Sequence, residues 1–212
     1  MKVPPEADLP RAAYAAPQAP WNGIMVVGEA PGAEEVKQNL PFVGRSGQLL
    51  DKALAEAGIL RAACFVANVF RLQPPGNKVD FFFASRRAAA QNTELLLEDY
   101  GAMSGKFCRA AFAAELQALR DVIAAERPRA ILAVGRTPLW ALTGLNGISA
   151  QAGQRHDCRF AAGTPVMVTY HPSYILRGNW KLMPVWVEHL VQGRLLAAAK
   201  GSSPVRTVSR LR

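Results

Sequence analysis

Three side chains of different chemistry stand at the ends of short apolar runs. Glu29 lies in Gly28-Glu29-Ala30-Pro31-Gly32, directly after the run 24–28. Asn68 lies near the end of the run 64–69. His171 opens His171-Pro172-Ser173, directly after the run 165–170. A carboxylate can take up a proton, an imidazole can donate or accept one, and an amide offers a donor and an acceptor side by side. Several familiar chemistries do not fit this set. A dinucleotide site wants GxGxxG after the first strand; Gly28 and Gly32 are present, but Glu29 and Pro31 between them suit a pyrophosphate poorly, and no Walker loop exists. A serine hydrolase holds its nucleophile against a histidine, whereas Ser173 is two residues from His171 and no GxSxG elbow is present. His156, His171 and His189 are scattered, and Cys64, Cys108 and Cys158 form no CxxC, so no metal site is expected.

The elements that carry these residues can be read from periodicity. Residues 24–28, 64–69, 130–135 and 165–170 are near-continuous apolar runs, the pattern of strands buried on both faces. Between them lie helical stripes. Ser46 is placed to cap a helix carrying Leu49, Leu50, Ala53, Leu54 and Ala57, with Gly58 as the stop. Phe112, Leu116, Leu119, Val122 and Ile123 share one face of a helix over 110–126, and Thr137-Pro138 opens a short helix that Gly144 closes. A last helix starts near Pro184 and is expected to bury Val187, Leu190, Val191, Leu195 and Leu196. Strands alternating with helices imply an α/β fold: a three-layer α/β/α domain around a central, mainly parallel four-stranded sheet. The expected organisation is an extended arm over 1–22, a single domain over 23–200 and a flexible basic tail over 201–212. Residues 79–106, with the Phe81-Phe82-Phe83 triplet, read as loop and short helix packed over the core. In open parallel sheets, sites lie beyond the carboxyl ends of the strands, so Glu29, Asn68, His171 and the turn Gly135-Arg136-Thr137-Pro138 converge on one rim.

The chain has 212 residues and a net charge of +9, and it is 50% hydrophobic, which excludes a disordered chain. No run approaches a membrane span, and the first residues contain no apolar signal region. Three sparse cysteines suit a reducing compartment, so a cytoplasmic, nucleoid-associated protein of a bacterium is expected. The positive charge points to an anionic partner, with nucleic acid ahead of membrane. It is concentrated: residues 171–212 hold seven Lys or Arg and one acid, Glu188.

Four segments carry a resemblance. GEAPGAEE at 28–35, PFVGRSGQLLD at 41–51, NVFRLQPPGNK at 68–78 and YHPSYILR at 170–177 resemble, in order and spacing, the motifs of the uracil-DNA glycosylase superfamily, nearest its family 4 branch. The resemblance implies a monofunctional base-excision repair hydrolase acting on uracil-containing DNA. Such an enzyme flips the base out of the helix, cuts the N-glycosidic bond and leaves an abasic site. It implies roles for individual residues. His171 would donate to uracil O2 as charge develops there. Glu29, with Gly28 and Ala30 beside it, would place the attacking water and stabilise the sugar cation. Phe42 would stack on the base, Asn68 would read O4 and N3–H, and Glu35 would crowd C5 against the thymine methyl. Gly44, Ser46 and Gly47 would offer amides to phosphate, and Pro74 and Pro75 would compress the DNA. Ser173 belongs to the same DNA-facing turn. Tyr174, Ile175 and Leu176 would supply an apolar wedge, with Arg177 on a phosphate.

The sequence also departs from that family. Family 4 holds an iron–sulfur cluster on four cysteines. Here none precedes Cys64, Leu72 and Ala88 occupy the other two positions, and no cofactor is expected. Apolar packing must then replace the cluster, and the Phe triplet is the candidate. The stretch Val36-Lys37-Gln38-Asn39-Leu40 lacks the acid and Gly-Arg pair common before PF. No histidine lies between residues 1 and 155, which removes the covalent DNA-trapping chemistry of a related variant. No lysine sits in a Schiff-base motif. Two alternatives remain at this level: a glycosylase for hypoxanthine, xanthine or a damaged pyrimidine, and a slow-turnover module that binds lesions or abasic sites. A monomer without membrane contact is expected.

Overall fold

A computed structural model describes residues 8–201. Its strands are β1 (Ile24–Gly28), β2 (Phe65–Asn68), β3 (Phe83–Ala84), β4 (Phe107–Cys108), β5 (Ala130–Val134), β6 (Arg155–Asp157) and β7 (Pro165–Thr169). The helices are α1 (Ala33–Gln38), α2 (Arg45–Glu56), α3 (Arg86–Asn92), α4 (Ala113–Glu126), α5 (Arg136–Thr143), α6 (Ile148–Gln151), α7 (Pro172–Leu176) and α8 (Met183–Gly201). The central sheet has the order β2-β1-β5-β7-β6. The first four are parallel, with Val27 opposite both Ala67 and Ala133, and Ala133 opposite Val168.

Strand alternation divides the core into two layers. Ile24, Val26 and Leu132 face Leu50 and Leu54 of α2 and Trp186 and Leu190 of α8. Met25, Val27, Ile131 and Ala133 face Leu116, Leu119 and Ile123 of α4 and Trp140 of α5. Helices on both faces explain why these strands are apolar at every position. The expected three-layer fold is present.

Several details differ from the sequence reading. The sheet has five strands rather than four, because β6 pairs antiparallel with β7 at the edge. Its residues, Arg155, His156 and Asp157, are polar and mostly exposed, so no apolar run announces it. The helix expected to start at Ser46 is instead capped by Gly44. In α8 the buried face carries Trp186, Leu190 and Ala197, while Leu195 is 47% exposed. Trp186 is fixed at both ends, its indole N–H donating to the Tyr170 carbonyl at 3.0 Å. Residues 79–108 hold α3, as expected, and also the β3–β4 hairpin.

Within the expected arm, residues 8–22 run along the free edge of β2. Ala15 and Val66 exchange both backbone hydrogen bonds at 2.9 Å, and the Ala12 N–H donates to the Arg71 carbonyl. The expected basic tail lies outside the described residues except for Gly201, which ends α8. Among the described residues, no helix is long and apolar enough to cross a membrane.

Candidate active site

The carboxyl ends of β1, β2 and β7 open onto a cleft of about 390 Å³. Parallel register brings the predicted residues together there. Gly28 pairs with Asn68 across β1 and β2, and His171 begins two residues after β7. Glu29, Ala30, Glu35, Phe42, Asn68 and His171 all line the cleft. Ser46, Pro74, Ser173 and Arg177 reach its walls, and so does Asn77, which the sequence reading did not single out.

Gly28 lies behind the cleft, between two of its lining side chains. A Cβ there would run into the Phe42 ring and stand 2.5 Å from the Asn68 amide oxygen. Only glycine lets an aromatic face and a reading amide share that wall. Phe42 itself sits at φ 56°, the left-handed region. For a bulky side chain this is strained backbone, of the kind concentrated at ligand sites. Gly47 accommodates it, since a Cβ at that position would run into the Phe42 carbonyl. The Phe42 ring is buried, with its centroid 6.1 Å from that of His171. Asn68 is 5% exposed, and its amide makes no side-chain hydrogen bond within the described residues. Donor and acceptor are both left for a ligand.

His171 is the N-cap of α7. Its Nδ1 accepts the Ser173 backbone N–H at 3.2 Å and lies 2.8 Å from the Ser173 hydroxyl. That hydroxyl accepts from Arg177 at 3.2 Å, so its own proton points to Nδ1. With Nδ1 occupied as an acceptor, the ring proton belongs on Nε2. Burial, helped by the Arg177 charge and opposed by Glu35, lowers the His171 pKa to about 4. The imidazole is therefore a neutral Nε2–H donor.

Glu29 is half-buried. Its Oε2 accepts the Thr137 hydroxyl at 2.5 Å. Burial raises its pKa above the ordinary 4.5; the Thr137 hydrogen bond and Arg136 oppose that, Asp80 adds to it, and Arg177 opposes it. Thr137 and Arg136 open α5, beyond β5. Arg136 pairs with Asp80 at 2.7 Å, which also holds Lys106 at 3.1 Å.

Three expectations need correction. Glu35 borders the cleft but is not a free wall group. Its Oε1 accepts the N–H groups of Val43 and Gly44, at 3.1 and 2.9 Å, and its Oε2 accepts that of Gly32 at 3.1 Å. It ties the GEAPG turn to the PFVG turn while still bordering the cleft. The Gly44 amide is thereby used, and Gly47 is buried against Phe42, so of the expected phosphate-binding amides Ser46 is the one whose residue reaches the cleft. The expected wedge also divides. Ile175 is fully buried in the core and Leu176 is half-buried against it, whereas Tyr174 is exposed and stacks on Tyr170 at 5.5 Å. Trp180, missed from sequence, is 52% exposed just beyond. Pro75 is exposed on the turn Pro75–Asn77, and Pro74 is buried beneath it.

The loop after β2 has its own anchor. Glu115 on α4 is fully buried and accepts the Arg71 backbone N–H at 2.6 Å and its guanidinium at 2.8 and 3.2 Å. The cluster positions implied by the family 4 resemblance do not fit a metal centre. Leu72 is fully buried, Ala88 lies on α3, and the three cysteines are buried and separate. No group of three potential ligands occurs among the described residues. The Phe triplet packs here as an aromatic cluster: Phe82 stacks on Phe70 at 4.1 Å and meets Phe112 at 4.8 Å, and Phe83 meets Trp140 at 5.0 Å.

The family model described as the uracil DNA glycosylase superfamily matches residues 18–192. The chain is 31% identical over 161 residues to a Type-4 uracil-DNA glycosylase of Pyrobaculum aerophilum, covering 73% of this chain and 68% of that protein. It is 31% identical over 156 residues to one of Thermotoga maritima, covering 74% and 67% respectively. A 55-residue stretch is 44% identical to one of Archaeoglobus fulgidus, covering 26% of this chain and 28% of that protein.

Proposed function

The chain belongs to the uracil DNA glycosylase superfamily, and we propose that its cleft hydrolyses the N-glycosidic bond of a deoxyuridine flipped out of DNA. It is a uracil-DNA glycosylase, a hydrolase of base excision repair. The observation that carries the assignment of roles is one cleft holding a neutral imidazole donor, a half-buried carboxylate and an unengaged amide.

The uracil slides along the Phe42 face, a stacking contact of about 1–3 kcal/mol. The Asn68 amide donates to O4 and accepts from N3–H. Cytosine presents the reverse pattern and leaves buried groups unpaired. As the C1′–N1 bond breaks, its electron pair moves onto the base. The Nε2–H of His171 donates to O2, where that charge accumulates. A neutral donor stabilises the charge without surrendering its proton. The sugar becomes cation-like at C1′. Glu29, as the carboxylate, stabilises it and accepts a proton from water as the hydroxyl adds to C1′. Uracil leaves as the anion and is protonated by solvent. The products are free uracil and an unnicked abasic site.

Tyr174, exposed beside Arg177, is the group of the proposed wedge that can enter the space vacated by the base. Ser46, Pro74 and Arg177 contact the backbone. The enzyme works as a monomer without iron, in the cytoplasm with the nucleoid, where DNA is the substrate and buried free thiols persist. A labelled duplex with one uracil, incubated and then cleaved by alkali, tests this beside undamaged and hypoxanthine duplexes. Alkali-labile product from the uracil duplex alone is expected. Preference for hypoxanthine would replace uracil as the substrate. A stoichiometric burst with no later turnover would favour the lesion-binding alternative.

A further inference from the structure

The residue that holds Glu29 lies 108 positions away, on a helix that none of the four family-like segments includes. β1 and β5 are neighbours in the sheet, so the turn after β1 faces the first turn of α5. Gly135 makes that turn possible: it sits at φ 107°, and a Cβ there would stand 3.1 Å from the His171 Cβ. Arg136 and Thr137 then enter α5 directly beneath Glu29. Thr137 is fully buried. Its methyl belongs to the core, and its hydroxyl donates to Glu29 Oε2 at 2.5 Å. The other oxygen, Oε1, makes no hydrogen bond within the described residues. Glu29 borders both the base cleft and a second hollow of about 390 Å³ bounded by Arg136, Ser149 and Tyr174.

We infer that Thr137 is a positioning residue for excision: its hydroxyl engages one oxygen of Glu29, fixes the carboxylate between the two hollows, and leaves Oε1 for the attacking water. The inference rests on the reading of Glu29 given above. A carboxylate with one oxygen occupied by a buried donor cannot rotate to present either oxygen at random, so the water site is defined before DNA arrives. The same bond favours the ionised form against the cost of burial. The charged groups around Glu29 come from several elements. Arg136 on α5 and Arg177 at the end of α7 favour the anion, and Asp80 opposes it. His171, neutral across the cleft, contributes no charge.

The test is single-turnover excision of a uracil duplex as a function of pH, with Thr137→Val, Thr137→Ala and Thr137→Ser. Valine keeps the shape and alanine opens a small space, but neither can donate. Serine restores the hydroxyl. Both hydroxyl-free variants should excise about tenfold more slowly at neutral pH. Their acid limb should move to higher pH, because a hydrogen bond favouring the anion has been lost. Serine should return both the limb and the rate toward the parent. Glu29→Gln is the control for the underlying reading. If Glu29→Gln is impaired while valine and alanine keep the parental rate and limb, the positioning role is overturned and Glu29 stands. If serine and alanine are equally slow with unshifted limbs, the defect is packing and the inference fails. If Glu29→Gln excises at the parental rate, the reading of Glu29 and the inference fall together.

Discussion

The protonation state of His171 is the sharpest consequence of the site. At its ordinary pKa of 6.5, about one imidazole in four would be charged at pH 7. With the pKa lowered to about 4, the charged fraction is about one in a thousand. Between pH 5 and 8 the excision rate should therefore be insensitive to His171. The acid limb should instead belong to Glu29, whose carboxyl is raised above its ordinary value by burial. Nitrogen-15 labelling of the histidine rings reports this directly. At pH 7 His171 should show a protonated Nε2 and a bare Nδ1, with no titration until the pH approaches 4. Arg177→Gln removes a neighbouring positive charge and should move the titration upward. His171→Ala should slow excision by about 10²–10³-fold, the usual loss of one preorganised donor. Stability has a definite sign here. The folded-state pKa lies below the unfolded one, so the unfolded chain takes up the proton first. The native state loses stability as pH falls from about 6.5 toward 4 and is unaffected by this group above 6.5. Titration near 6.5, or a proton found on Nδ1, would refute the reasoning.

Four other outcomes are expected. Gly28→Ala puts a methyl between Phe42 and Asn68, and single-turnover excision should fall by about a hundredfold while gel-shift affinity for undamaged duplex is kept. Asn68→Asp removes the donor to O4, costing about a hundredfold in uracil excision in the same assay. Glu115→Ala removes a fully buried carboxylate that accepts the Arg71 backbone N–H and guanidinium. Losing such bonds costs about 1–3 kcal/mol, so Tm should drop by roughly 5 °C by calorimetry. Metal analysis of purified protein should find no stoichiometric iron, and an iron–sulfur chromophore would overturn the aromatic packing account of residues 70–83.

Legibility in the sequence followed the physics of each feature. β1, β2, β5 and β7 could be read because strands buried on both faces must be apolar throughout. β6 could not, because an edge strand with polar side chains carries no such mark. Ile175 was expected in the wedge because the resemblance turns the segment after His171-Pro172-Ser173 toward DNA. Its burial depends on α7 lying against α2, which no local pattern encodes. The same limit applies to Glu35. Its position in the GEAPG segment identifies it, yet that a carboxylate three residues past Gly32 also takes the amides of Val43 and Gly44 is a property of two loops meeting. Thr137 had the weakest signal. It was placed on the rim only as part of the turn that opens α5, and its partner is distant in the chain although adjacent in the sheet.

The strand order has a further consequence, in time. Glu29 is placed by the first strand of the sheet and His171 by the last to be made, with β5 inserted between β1 and β7. A ribosome adding about 5–20 residues per second needs about 7–28 s to travel from one residue to the other. During that interval the nascent chain can form β1, β2 and β5, but it has no base-cutting centre, and most of its net positive charge, which lies in residues 171–212, is still to be made. The order of synthesis thus acts as a safeguard. The groups that would attack a glycosidic bond meet only when the last parallel strand docks, so a chain that ends before β7 has Glu29 without His171.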